Sequence, residues 1–315
     1  MPSMQRTLNR ILRQRLVPGA GLLLPGAANA LAARVIAASG FDAVYVTGAG
    51  IANSYRGVPD LGLVTLTELA DHVAAMRDAV PLPLVVDADT GFGNALNVLH
   101  AVRTLERAGA NAVQIEDQVF PKRCGHFAGK QVIPAGEMVQ KIKAATDARL
   151  DDGLAIVART DAGAAEGIDA ALDRAALYRE AGADVLFVEA PTSEAELARV
   201  AAAAGANTPH LANMVFGGKT PLLPRARLAE LGFAGILYAN AALQAAVAGM
   251  GAVLGHLARQ GDLTGIEDQL ASFELRQQLV DYDKYRRLEQ RYATGLPDDG
   301  GTGEGGGSEG EDGSR

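Results

Sequence analysis

Leu84-Val-Val-Asp87-Ala-Asp89-Thr-Gly-Phe-Gly93 sets a short apolar run against a glycine-punctuated loop, and an Ala-rich stretch from Ala95 to Ala108 follows at once. A brief apolar run without polar alternation marks a strand covered on both faces, as in parallel sheets. Its two carboxylates, Asp87 and Asp89, therefore stand at the downstream mouth of that strand. The same unit of strand, polar loop and helix recurs along the chain. Strands are expected at 22–24, 43–47, 84–87, 112–116, 155–159, 185–189, 210–213 and 235–238, with helices near 27–39, 67–79, 95–108, 135–148, 168–181, 194–203, 225–231 and 240–257. Gly40, Gly109, Gly182 and Gly232 stand where several helices should end, and glycine supplies the left-handed cap there. Eight such units describe an α/β fold, a closed parallel (β/α)8 barrel of the TIM type. The polar residues support that choice over an open sheet. Thr47, Asp87, Asp89, Glu116, Arg159, Glu189 and Asn213 all fall at or just past strand C-termini, where such barrels build active sites.

One domain is expected over 1–296. Its N-terminal helix has Leu8, Ile11, Leu12 and Leu16 on one face, so Arg6, Arg10, Arg13 and Arg15 read as part of a helix closing the barrel rather than as a transit peptide. A stripe of Leu275, Leu279, Tyr282, Tyr285, Leu288 and Tyr292 predicts a further helix that needs a partner. Residues 297–315 carry Asp, Glu, Gly and Ser without an apolar anchor and should be a disordered acidic tail. Tryptophan is absent and aromatics make up 5%, so the core must be built from Ala, Val, Leu and Ile. A net charge of −8 argues against the clustered cationic face of a nucleic-acid binder. A single cysteine excludes an internal disulfide framework and suits a cytoplasmic location. No segment approaches the roughly 18 uninterrupted apolar residues of a membrane span. A small ligand is the expected partner.

Asp87 and Asp89, at i and i+2, can face one mouth, with Glu116 arriving from the next strand. Three converging carboxylates repel unless a cation neutralises them. A hard divalent ion, most simply Mg²⁺ keeping several waters, suits an all-oxygen set, and Mn²⁺ is the alternative. The competing reading is that these acids cap helices or bind arginines. Arg159 offers a planar fork for a substrate carboxylate, or a salt bridge to Glu189 or Asp161. Asn213 and the backbone of Thr47-Gly48-Ala49 can give neutral hydrogen bonds, with Gly48 allowing close approach. Tyr45 either reaches the mouth or fills the core. Asp60 lies in Gly57-Val-Pro-Asp-Leu-Gly62, where aspartate often only makes a turn. The one cysteine sits in Lys122-Arg-Cys124-Gly-His126. Two cations and a histidine favour its thiolate, which makes Cys124 a candidate acid/base or nucleophile, with His126 near the same mouth.

Tyr45-Val-Thr-Gly-Ala-Gly50, Gly57 to Gly62, Val86-Asp-Ala-Asp-Thr-Gly-Phe-Gly93, Ile115-Glu-Asp-Gln118, Lys122 to His126, Ala158-Arg-Thr-Asp161 and Ala212-Asn-Met214 occur in one order. Together they make the chain resemble the isocitrate lyase and phosphoenolpyruvate mutase superfamily, and within it the small lyases of methylisocitrate or 2,3-dimethylmalate. The resemblance implies a Mg²⁺-dependent carbon–carbon lyase that splits a 2-hydroxy acid by retro-aldol type chemistry. It implies an ion at Asp87, Asp89 and Glu116, with Asp60 acting through water. Cys124 would protonate the carbanionic carbon, and His126, Tyr45 and Glu189 are the other candidate catalytic groups; the base that takes the hydroxyl proton is unassigned, with Tyr45 one candidate. It also implies a C-terminal helix exchanged between subunits of a homotetramer built as a dimer of dimers. Methylisocitrate lyases carry arginines where this chain has Phe127 and Gln244, so a dicarboxylate resembling dimethylmalate is favoured over a tricarboxylate; Arg56 is a cation that could offset that loss. Carboxyphosphonoenolpyruvate mutases share the cysteine loop and a segment like Gly217 to Pro221 and are the nearest rival. Oxaloacetate decarboxylases or hydrolases, and a non-catalytic ligand-binding barrel, are further alternatives.

Overall fold

The computed structural model describes residues 2–123 and 129–293, and among them the apolar runs form β1 (Leu22–Ala27), β2 (Val44–Val46), β3 (Leu84–Asp87), β4 (Ala112–Glu116), β5 (Ala155–Thr160), β6 (Val185–Val188), β7 (His210–Asn213) and β8 (Gly235–Tyr238). Each strand pairs in parallel with its sequence neighbour, and β8 returns to β1 from Leu22↔Gly235 to Pro25↔Tyr238. The sheet is therefore closed, and the fold is a (β/α)8 barrel. Cys124, His126, Phe127 and the expected tail at 297–315 lie outside the described residues.

Strand side chains alternate between two cores. Leu24, Tyr45, Val85, Val157, Phe187, Leu211 and Leu237 pack together inside the barrel, while Val46, Val86, Val113, Ile156, Leu186 and Ile236 pack outward against the helices. Leu12 and Leu16 extend the inner core from below, because the helix Pro2–Arg15 closes the N-terminal end as its spacing predicts. That plug is pinned by polar contacts as well as packing: the Asn111 amide donates to Asn9 Oδ1 at 2.7 Å. Gly40, Gly109, Gly182 and Gly232 all adopt positive φ, between 81° and 115°, in keeping with their reading as helix ends.

Two elements differ from the sequence reading. The stripe from Leu275 to Tyr292 is not one helix but two, Phe273–Leu279 and Tyr282–Tyr292, separated at Asp281, whose φ of 59° no helix accommodates. Aspartate tolerates that left-handed shape, so the break is cheap where it falls. In addition the chain divides after Ala271 into two units, so these two helices belong to a unit distinct from the barrel. The helix after β8, Ala241–Gln260, holds the place of the eighth barrel helix, yet none of its residues is buried. This 20-residue helix, with a mean hydropathy of 1.5 in its most apolar stretch, is long and apolar enough to cross a membrane, although Gln244 and His256 interrupt the run. A helix evolved to cover a sheet or a protein surface has the same composition. Val247, Met250 and Leu254 lie exposed along it at helical spacing.

Candidate active site

Inward parity carries the site. Arg159 lies two residues beyond Val157, Glu189 two beyond Phe187, Asn213 two beyond Leu211 and Asp87 two beyond Val85, so each continues the inward row of its strand past the apolar layer. These groups meet in a cavity of about 40 Å³ at the C-terminal mouth. Of the residues expected from sequence, Tyr45, Thr47, Ala49, Asp60, Asp87, Glu116, Arg159, Glu189 and Asn213 line it. Gly48 lies alongside, where an added Cβ would stand 3.2 Å from Asp89 Oδ1 and 3.4 Å from Asp87 Oδ2. The missing side chain is what lets this turn approach both acids. Hollows of about 410 and 650 Å³ lie at the other end of the barrel, beside the N-terminal helix. They lack a convergence of strand-end groups, so chemistry rather than size identifies the site.

Non-glycine residues are held at positive φ around this mouth: Asp89 (50°) and Phe92 (61°) after β3, and Ala190 (58°) after β6. Such conformations cost of order 1–3 kcal/mol and persist only where the surroundings impose them. Here the Asp89 N–H donates to Asp87 Oδ1 at 3.1 Å, and the Glu116 N–H donates to Asp89 O at 2.8 Å. The turn carrying two acids is therefore locked to the next strand.

Arg159 makes the salt bridges of its second reading and a third besides. It is ion-paired with Asp161, Glu116 and Glu189, lies over the Phe187 ring at 5.2 Å, and still lines the cavity. Lys122, which the sequence suggested as a cation flanking Cys124, is buried and sends its ammonium to Asp60 and, at 2.7 Å, to Asp89. Asp60, Asp87, Asp89, Glu116, Asp161 and Glu189 thus face Lys122, Arg123, Lys130 and Arg159, six acids against four cations, an excess of two negative charges when all are ionised. The acids respond accordingly. Burial, opposed by Lys122 and reinforced by Asp87 and Asp60, pushes Asp89 up to about 7. Burial, opposed mainly by Arg159, drives Glu116 well above the usual carboxylate range.

Among the described residues no three acids or imidazoles already converge as a metal cage would. Mg²⁺ seldom needs such a cage: it takes one or two carboxylates, keeps waters and recruits substrate oxygens. Glu116 Oε1 is buried without a hydrogen-bond partner, as is Asn213 Oδ1. An all-oxygen donor set, an orphaned carboxylate oxygen and the negative excess fit a hard divalent ion.

Gln114 went unread in the sequence, although it stands two residues before Glu116 and shares its parity. It accepts from the Tyr45 hydroxyl at 3.1 Å and donates to Asp87 Oδ1 at 3.2 Å. Burial, reinforced by Asp87, pushes the Tyr45 phenol well above its ordinary range, so it serves as a neutral hydrogen-bonding group and is a poor base. Asn240 was also missed; its Oδ1 stands 3.5 Å from Thr47 Oγ1. Asn213 donates weakly to Glu189, at 3.3 Å to Oε2. Arg56 does not line the cavity. It pairs with Glu68, itself part of the capping box that starts the helix Leu66–Ala79. Gln244 lines a neighbouring hollow of about 70 Å³ with Val215 and Phe216.

Residues 12–258 match the sequence pattern of the phosphoenolpyruvate phosphomutase family. The chain is 44% identical over 274 residues to the 2,3-dimethylmalate lyase of Eubacterium barkeri, covering 87% of this chain and 94% of that protein. A crystal structure of a 2,3-dimethylmalate lyase superposes with a TM-score of 0.85 at 34% identity, over 94% of this chain and 98% of the other. Phosphonopyruvate hydrolase, solved with oxalate and Mg²⁺, superposes with a TM-score of 0.81 at 30% identity, over 91% and 99%. With strand-end carboxylates, an arginine fork and this similarity along most of its length, the chain belongs to the phosphoenolpyruvate phosphomutase family.

Proposed function

We propose that the protein is a Mg²⁺-dependent carbon–carbon lyase acting on a 2-hydroxy dicarboxylate of the 2,3-dimethylmalate kind. The carbon–carbon bond between C2 and C3 breaks, the C2 fragment leaves as a 2-oxo acid and C3 gains a proton; from 2,3-dimethylmalate the products are pyruvate and propionate. The observation that carries this reading is one buried arginine fork facing a cluster in which acids outnumber cations by six to four. Similarity to a 2,3-dimethylmalate lyase along most of both chains supports it.

Asp87 and Glu116 line the cavity and would hold the ion, while Asp60 and Asp89 balance Lys122 beside them. When bound, a divalent ion supplies charge stabilisation for the oxygen that becomes the 2-oxo group. Arg159 binds one substrate carboxylate, and the buried Asn213 and the Thr47–Ala49 turn offer neutral donors to the other. Gln114 keeps the Tyr45 hydroxyl and Asp87 in one chain of hydrogen bonds, so the cavity wall is preorganised. Cys124 is the proton donor to C3 in this reading, on the strength of its motif. At about 40 Å³ the cavity admits an ion with water, so a six-carbon diacid requires the exposed Arg123 or partly exposed Asn240 to move.

A tricarboxylate fits less well. Its third carboxylate needs a cation, and Arg56 is already engaged by Glu68. Assembly as a cytoplasmic homotetramer is part of the proposal, supported by the exposed apolar residues of Ala241–Gln260. Release of pyruvate or glyoxylate from a panel of 2-hydroxy di- and tricarboxylates, with and without Mg²⁺, tests the assignment. Turnover of dimethylmalate supports it, and a preference for methylisocitrate or for a phosphonate moves the protein to a neighbouring activity.

A further inference from the structure

Asp161 is fully buried and does not line the cavity, yet it aims the group that does. Arg159 Nε donates to Asp161 Oδ2 at 2.8 Å and Nη2 donates to Oδ1 at 3.1 Å, a side-on fork that fixes the guanidinium plane. Lys130, its side chain only 1% exposed, donates to the same Oδ1 and offsets the burial of that carboxylate. From the other side the Asp161 N–H donates to Asp117 Oδ1 at 2.9 Å. Asp117 is itself anchored by the hydroxyls of Thr160 and Tyr178, each 2.7 Å from its Oδ2.

Arg159 has two other acids within reach, Glu116 Oε2 at 3.3 Å and Glu189 Oε2 at 3.2 Å. Either would draw the guanidinium across the cavity if the fork were released. Among the described residues the fork uses Nε and Nη2, and no hydrogen bond is made by Nη1. We infer that Asp161 is a positioning residue for substrate binding: its shorter contacts to Nε and Nη2 fix the guanidinium plane against the pull of Glu116 and Glu189, so that Arg159 presents a set edge to a substrate carboxylate. The inference rests on the carboxylate-binding reading of this site and goes beyond it by assigning the work to a residue that touches no substrate.

Calorimetric titration with oxalate in the presence of Mg²⁺ tests it, on the wild type, Asp161→Asn and the double variant Asp161→Asn/Lys130→Met. The double variant removes one charge of each sign and so leaves no buried lysine unpaired. Mn²⁺ affinity measured by electron paramagnetic resonance, without oxalate, and melting temperature are read on the same proteins. The expected result is oxalate affinity reduced by about tenfold or more in both variants, with Mn²⁺ affinity of the double variant within about threefold of wild type and its melting temperature little changed. Oxalate binding as tight as wild type in a folded variant overturns the inference. So does a double variant that unfolds or loses Mn²⁺ and oxalate by the same factor, since Asp161 is then only structural. If the wild type binds no oxalate, the carboxylate-site reading fails and the inference falls with it.

Discussion

Glu116 and Asp117 are adjacent acids at the end of one strand, and their parity gives them opposite tasks. Glu116 faces inward, lines the cavity and has one carboxylate oxygen without a partner. Asp117 faces outward and accepts from Thr160, Tyr178, Arg174 and the Asp161 backbone. Removing Asp117 strands several buried donors and an arginine, so Asp117→Ala should cost about 3–5 kcal/mol of stability in chemical denaturation. Glu116→Gln keeps the volume and removes only the charge. It should melt near the wild-type temperature while Mn²⁺ affinity, followed by electron paramagnetic resonance, falls by about tenfold or more. A Glu116→Gln protein with undiminished Mn²⁺ affinity removes this acid from the metal site. Cys124 belongs to this scale through its motif, although it lies outside the described residues. Cys124→Ser should lower cleavage by about 10² or more, because serine is a far poorer proton donor at neutral pH. Equal single-turnover rates for mutant and wild type would remove the cysteine from the mechanism.

At the scale of elements, the strands were legible because an apolar run bounded by glycine and polar residues has few alternatives in a repeated β–α pattern; the helices at 95–108 and 135–148 form with the boundaries read from sequence. The turns Gly48–Ile51 and Ala162–Ala165 and the π-helical turn Ala52–Arg56 were not legible, since each has only four or five residues and no periodicity to read. The break at Asp281 escaped for a related reason: a stripe of apolar spacing runs across it, and one residue at positive φ leaves no signature in that pattern. Gly26 on β1 shows how an element shapes the site. A Cβ there would stand 1.9 Å from Ala239 O, on the segment that contributes Ala239 and Asn240 to the cavity wall. Gly26→Ala should therefore destabilise the protein by about 1–3 kcal/mol and raise KM by displacing that wall. An unaltered melting temperature together with an unaltered KM would contradict the packing argument.

For the whole molecule, the barrel and the meeting of polar strand ends at one mouth were legible in the sequence, because the inward row of a parallel strand continues as mouth residues and the sequence shows where polarity begins. What could not be read was pairing. Nothing in the local pattern says that Lys122 reaches Asp60 and Asp89, or that Arg56 belongs to Glu68, since these contacts join distant segments. Assembly is the other level that a single chain leaves to experiment. Ala241–Gln260 has no buried residue, and Phe273, Tyr282, Tyr285 and Tyr292 are exposed in the second unit. A chain ending at Ala271 should form smaller particles than the full-length protein in light scattering, while its barrel keeps the circular dichroism of a folded protein. An unchanged particle mass after truncation would exclude the second unit from assembly. The measurement that bears most directly on the central claim is pyruvate release from 2,3-dimethylmalate by the full-length protein, with Mg²⁺ and again after chelation. Pyruvate formed with Mg²⁺, abolished by chelator and restored by added metal, is the predicted result; full turnover in excess chelator, or no pyruvate in the presence of Mg²⁺, would contradict it.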